Sequence, residues 1–168
     1  MRSRVMRGLF TTLRTIVYAA CFLSFFAWMA LRVRSLDQSF GISLPASGAI
    51  PGVLLMAGGG LVALACIALF VSRGRGTPAP FDAPTEFVAS GPYRYVRNPM
   101  YVGGLLVLAG FGLYLRSPSV LLMSLLVALI IHLFVVYYEE PTLRAKFGAS
   151  YEKYCERVKR WIPARPQR

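Results

Sequence analysis

Uncharged apolar runs alternate with short, arginine-rich polar segments along the whole chain. Four runs lack acidic and basic residues: Thr15–Leu31, Ala49–Val71, Pro99–Leu115 and Ser117–Tyr138. Each approaches the roughly 20 residues that an α-helix needs to cross a bilayer. The third and fourth are parted only by Arg116, Ser117 and Pro118, so they should form a tight helical hairpin with Pro118 near the start of its second arm. The pattern therefore predicts an all-α fold, a polytopic integral membrane protein with about four transmembrane helices. Beyond the last run, Leu143, Phe147, Tyr151, Tyr154 and Val158 recur at spacings of three and four. That periodicity predicts one or two C-terminal amphipathic helices lying at the membrane surface, with Trp161 as an interfacial anchor.

Composition sharpens this picture. The chain has 168 residues, 56% of them apolar, yet its net charge is +12. A length of this order suits a single structural domain, read here as a two-helix membrane region (1–72) and a second region (73–168). The basic residues flank apolar stretches of membrane length and do not line a soluble face, which excludes a nucleic-acid binder. Arg2, Arg4 and Arg7 ahead of an apolar run resemble the start of a signal peptide, but no small-residue cleavage site follows, and the run reads as a first span. The three cysteines have no metal-ligand spacing, so neither a metal site nor a disulfide framework is expected.

Arginine and lysine are unevenly distributed between the two sides of the membrane. The N-terminal segment, the segment after the second run and the C-terminal tail are rich in them, while the other side carries only Arg32, Arg34 and Arg116. The positive-inside rule then puts both termini in the cytoplasm, in an inner or plasma membrane. The proline- and glycine-rich stretch Arg73–Phe87 should be an extended connector. Gly59, Ala63 and Cys66 share one helical face, as do Gly103 and Gly110, and small residues in such positions let membrane helices pack closely.

Most familiar catalytic sets are absent from the sequence, which holds one histidine, no phosphate-binding loop and no metal cluster. What stands out is an aromatic and cationic cluster, SGPYRYVRNPMYVGG, opening the third run, and a carboxylate pair, Glu139–Glu140, closing the fourth. Carboxylates at a helix C-terminus face the negative end of the dipole and need a cation, for which Arg94 and Arg97 are the candidates. His132 precedes Glu139 by about two turns, nearly on one face in regular α geometry. Two readings of it stay open: a bond to a neighbouring helix, or contact with an acceptor.

These residues carry a resemblance. GPYRYVRNPMYVGG, then one hairpin, then EEPTLRAKFGASYEKYCERVKRWIP, resembles the membrane methyltransferases related to isoprenylcysteine carboxyl methyltransferase and the phospholipid methyltransferases. The shared pattern is roughly G-x-Y-x-x-x-R-H-P-x-Y followed by E-E-x-x-L-x-x-x-F-G-x-x-Y-x-x-Y. It covers about Thr85 to Pro163. The resemblance implies S-adenosylmethionine as cofactor, held on the cytoplasmic side, and a lipophilic or lipid acceptor arriving from the bilayer. Carried across by position, cofactor contacts fall on Thr85, Glu86, Phe87, Val88, Tyr93, Asn98, Pro99, Met100, Tyr101, Glu139 and Glu140. Arg97, Asn98 and Glu139 become the candidate catalytic residues, and His132 and Val135 the candidate substrate contacts.

The residue types suit that chemistry: tyrosine faces attract a sulfonium cation, carboxylates accept from hydroxyl or ammonium groups, and arginine pairs with a carboxylate. Two departures are visible. Asn98 stands where the pattern has histidine, and it cannot take up a proton. Val135 stands where the prenylcysteine enzymes carry an arginine for the acceptor carboxylate, which argues against that acceptor. The competing readings are an NADPH-dependent membrane reductase on a related helical scaffold and a non-catalytic membrane scaffold.

Overall fold

A computed structural model describes residues 2–73 and 89–163. Most of the connector Arg73–Phe87, and with it Thr85, Glu86, Phe87 and Val88, lies outside the described residues. The described fold is all-α. Helix α1 spans Arg2–Phe40, α2 Ala49–Arg73, α3 Pro99–Tyr114, α4 Pro118–Phe134, α5 Glu140–Phe147 and α6 Ala149–Arg157. Among the described residues, two helices are long and apolar enough to cross a membrane: Ala46–Leu69, with 24 residues, and the continuous helical stretch Pro118–Phe147, with 30. Helix α3 is apolar but shorter, at 16 residues.

The expected hairpin is present. Helix α3 ends at Tyr114 and α4 begins at Pro118, with the Ser117 side chain accepting a hydrogen bond from the Val120 amide as an N-cap. Proline at the first helical position loses nothing, because its missing N–H has no intrahelical partner there.

Helices α2 and α3 are in close backbone contact along a seam of small residues. A Cβ on Gly59 would lie 2.5 Å from the Gly103 carbonyl oxygen, and one on Gly110 would lie 2.6 Å from that of Gly52. Any side chain larger than hydrogen would force the helices apart, so the glycines seen as one face in the sequence are what permit this approach. Helix α1 packs chiefly on α4. Ala30, Leu108, Val120 and Met123 form a small core where α1, α3 and α4 meet, flanked by Phe26, Met29, Phe111 and Val127. Much of the remaining apolar surface is exposed, including Phe22, Phe25, Trp28, Leu125, Leu129 and Ile130, as expected of helices whose outer faces meet lipid.

One feature departs from the sequence expectation. The fourth run does not end as a helix at Tyr138. It passes through a π-helical turn, Val135–Glu139, in which the Glu140 amide donates to the Val135 carbonyl, and continues as α5 to Phe147. The carboxylate pair is therefore within a continuous helical stretch, and the expected conflict with a C-terminal dipole does not arise. Gly148, at φ 52° and ψ −132°, then turns the chain into α6. That region of backbone space is open essentially to glycine alone, which accounts for the glycine of the F-G pair.

Candidate active site

The polar site forms where the start of α3, the π turn and the C-terminal tail converge. Its centre is Glu140, 4% exposed. Arg160 grips it through Nε to Oε1 at 2.7 Å and Nη2 to Oε2 at 2.9 Å, and Arg97 Nη1 lies 3.3 Å from Oε1. Two guanidinium groups on one carboxylate compensate its removal from water. Arg94, the other cation expected from the sequence, is exposed. Arg160, twenty residues beyond Glu140, takes that role; only the fold brings it there.

The tail is fastened to the α3 entrance at several further points. The Arg97 amide donates to the Lys159 carbonyl at 2.9 Å, and Asn98 Nδ2 donates to the Arg160 carbonyl at 3.2 Å. Tyr154 donates its hydroxyl to the Tyr93 carbonyl at 2.7 Å, and Arg97 Nη1 donates to Cys155 Sγ at 2.7 Å. Trp161 Nε1 donates to His132 Nδ1 at 3.0 Å. Trp161 thus engages α4 directly. Of the two readings left open for His132, the structure displays the bond to a neighbouring segment. Burial, then the nearby Cys66 and Glu139, push the Tyr93 hydroxyl far above the ordinary tyrosine range. Burial does the same for Tyr151 and Tyr154. All three stay protonated and remain hydrogen-bond donors.

Glu139 has a different environment from its neighbour. Its Oε2 accepts from the Tyr101 hydroxyl at 2.9 Å, and among the described residues no cation pairs with it. The π turn explains the split. It inserts one extra residue into the helical register, so Glu140 takes the angular position that regular α geometry would give Glu139. His132 and Glu140 therefore both face the tail, through Trp161 and Arg160, while Glu139 turns toward Tyr101 on α3. The expectation that His132 and Glu139 share a face assumed an unbroken α-helix and is corrected accordingly. π turns of this kind are frequent at functional sites.

Among the sequence-derived candidates, the structure brings Tyr93, Arg97, Asn98, Tyr101, Glu139 and Glu140 to one end of the helices. Asn98 and Pro99 are buried and Met100 is partly buried beside them. Val135 is fully buried at the start of the π turn. Arg160, Cys155, Tyr154 and Trp161 belong to the same network. The sequence signal that could have revealed Arg160 and Trp161 is their place just beyond the tail's amphipathic repeat, in a strand of chain with no helical periodicity of its own.

Two observations bear on whether this end can hold a charged cofactor. Arg97 Nε is buried without an acceptor. Glu139 Oε1 has no hydrogen bond among the described residues. An unmet donor for a carboxylate and an unmet acceptor for an ammonium or hydroxyl, beside tyrosine rings, fit the groups of S-adenosylmethionine. Among the described residues, no group of histidine, cysteine or acidic side chains is arranged to hold a metal ion.

The described residues are helical, with two apolar helices of membrane-spanning length and a polar, arginine-clamped cluster at one end of them, the architecture of a helical membrane protein. Residues 48–150 match the phospholipid methyltransferase family, and the chain belongs to it. The match runs from α2 into α6 and stops short of Arg160 and Trp161. The chain is also similar to an uncharacterized protein of Haemophilus influenzae, 35% identical over 63 residues, which are 38% of this chain and 100% of that protein. Family and helix lengths together point to an integral membrane methyltransferase that uses S-adenosylmethionine.

Proposed function

We propose that this protein transfers a methyl group from S-adenosylmethionine to a neutral nucleophile, an amine or thiol, on a membrane-dissolved lipid at the cytoplasmic face. The observation that carries this reading is the split pair: Glu140 neutralised by Arg97 and Arg160, and Glu139 left with only the Tyr101 hydroxyl beside it. Glu140 organises the site, and Glu139 remains available to a ligand. In this reading the membrane is crossed four times with both termini cytoplasmic, which gathers Tyr93, Arg97 and the tail on one side.

When bound, S-adenosylmethionine supplies an electrophilic methyl group on a sulfonium centre. Arg97 Nε would donate to its carboxylate, and Glu139 would accept from its ammonium or ribose hydroxyls. Tyr93 and Tyr101 present aromatic faces to positive charge. Asn98, bonded to the Arg160 carbonyl, holds the mouth of α3 against the tail. The site need not contain a catalytic triad, because alignment in an in-line displacement supplies much of the acceleration. Val135 offers no charge to a carboxylate acceptor, which favours a neutral one.

The test is a transfer assay on detergent-solubilised protein with methyl-labelled donor. Lipid amines, thiols and a prenylcysteine analogue are compared at equal concentration, and direct binding of labelled donor is measured against NADPH. Donor binding with transfer to an amine or thiol supports the reading. NADPH binding without donor binding overturns it, and efficient methylation of the prenylcysteine carboxylate overturns the choice of acceptor.

A further inference from the structure

At the end of the helices opposite the clamp, Asp37 of α1 is buried against the start of α4. It accepts from the Ser117 hydroxyl, from the Ser119 amide at 3.2 Å and from the Ser119 hydroxyl at 2.5 Å. Beside it lies a cleft with about 70 Å³ of free space, lined by Arg34, Asp37, Ile42, Leu115, Arg116 and Ser117 among others. That is several times the roughly 10–15 Å³ one ordered water needs. Both Asp37 oxygens are already engaged by Ser117 and Ser119, so the charged donors left for a ligand are the guanidinium groups, with Gln38 and Ser43 as neutral ones.

Arg34 makes no hydrogen bond or ion pair among the described residues. Arg116 uses Nε on the Leu44 carbonyl, at 2.8 Å, leaving its two terminal nitrogens. Its backbone is left-handed, at φ 56°, a conformation that glycine would adopt without strain. The lining residues named above carry two positive charges and one negative, with Ile42 and Leu115 adding apolar surface.

Two further features bear on the depth and the chemistry. Arg32 stacks on Trp28 at 5.5 Å, just before Arg34 and after the uncharged run Thr15–Leu31, and tryptophan at the end of such a run suits the membrane–water boundary. Arg32, Arg34 and Arg116 are also the arginines on the side where the sequence pattern is otherwise poor in cations. Positive charge there opposes the positive-inside bias. Arg32 is accounted for by Trp28, and the other two converge on the cleft.

We propose that this cleft binds the phosphodiester group of a membrane phospholipid, in the leaflet opposite the methyl-transfer site. Arg34 and Arg116 clamp the phosphate oxygens, and Ile42 and Leu115 meet the glycerol end of the acyl chains. The site's placement in the opposite leaflet rests on the four-span reading above, whereas lipid binding at the cleft needs no methyl transfer.

The test uses delipidated full-length protein in a maltoside detergent, titrated with dioleoylphosphatidylglycerol, which has no amine to occupy an acceptor position. Bound lipid is counted by native mass spectrometry. Wild-type protein should retain one phosphatidylglycerol that dioleoylglycerol does not match. Arg34→Gln should weaken retention about ten- to a hundredfold, the loss of a charge-assisted bond, and should lower the unfolding temperature only slightly at neutral pH, because that guanidinium makes no hydrogen bond in the described protein and acts on Asp37 only as a nearby charge. Arg116→Gln should weaken it similarly. Arg32→Gln should leave retention unchanged. Equal retention of the diacylglycerol, equal retention by Arg34→Gln protein, or an equal loss in Arg32→Gln protein would each overturn the site. Displacement of the lipid by inorganic phosphate at millimolar concentration would make a free anion the ligand and overturn the lipid assignment.

Discussion

Arg160 holds Glu140 through two parallel hydrogen bonds, Nε to Oε1 and Nη2 to Oε2, and so ties the C-terminal tail to the point where α4 passes into α5. Arg97 also touches that carboxylate, so the two arginines are partly redundant as charge and not redundant as geometry. Removing Arg160 should therefore cost less than the about 3–5 kcal/mol of a fully unpaired buried charge. We expect Arg160→Ala to destabilise by about 1.5–3 kcal/mol, the range for a hydrogen bond to a charged group. Arg160→Lys should recover only part of that, because an ammonium cannot reproduce the planar fork. Thermal unfolding in detergent measures both.

Glu139 tests the proposed ligand role separately from stability. Glu139→Gln keeps the shape and removes the charge. It should weaken S-adenosylmethionine binding by about ten- to a hundredfold while the unfolding temperature stays within a degree or two of wild type. The same substitution at Glu140 should mainly lower stability. Equal donor affinity in wild-type and Glu139→Gln protein would make both carboxylates structural.

The α2–α3 seam makes a paired prediction. Gly59→Ala puts a methyl group 2.5 Å from a backbone oxygen of α3, whereas Gly58 and Gly60 face open space. Gly59→Ala should destabilise by about 1–3 kcal/mol through overpacking. Gly58→Ala should be neutral or should stabilise by up to about 1 kcal/mol, because alanine is the better helix former. Denaturant or thermal unfolding of the two variants side by side decides it.

Asp37 gives a pH dependence. Burial alone would raise its carboxyl, but hydrogen bonds from Ser117 and Ser119, with Arg34 nearby, outweigh that and hold it below the ordinary aspartate range. A depressed folded value means that the charged form is the stabilised one. Its contribution is complete above the unfolded value of about 3.9 and is lost as pH falls through the lower folded value. Wild-type stability should decline over that acid window. Asp37→Asn should be less stable at neutral pH and flatter below it, as followed by unfolding temperature against pH.

The four-span arrangement predicts that reporter fusions at residue 40 and at the C-terminus fall on opposite sides of the membrane. Signals from the same side would remove it, and with it the common compartment for Tyr93 and the tail.

Much of the fold was legible because hydropathy and small-residue spacing are local. The short break at Arg116–Pro118, the apolar runs and the Gly59 and Gly103 faces could all be read without knowing any partner. The site was legible only in its motif residues. Glu140's main partner lies in the tail, and Asp37 finds Ser117 eighty residues away; no periodicity encodes such pairings. The π turn was invisible for another reason. It changes register by one residue inside an apolar stretch, where every side chain is equally content in α geometry, and only the cross-helix bonds of Glu139, Glu140 and His132 reveal it.

The close approach of Gly59 to Gly103, and of Gly52 to Gly110, has a consequence for traffic within the bilayer. With backbone against backbone, no gap is left between α2 and α3 for an acyl chain. At those two levels the flank is closed, so a hydrocarbon-tailed molecule cannot pass between these two helices there.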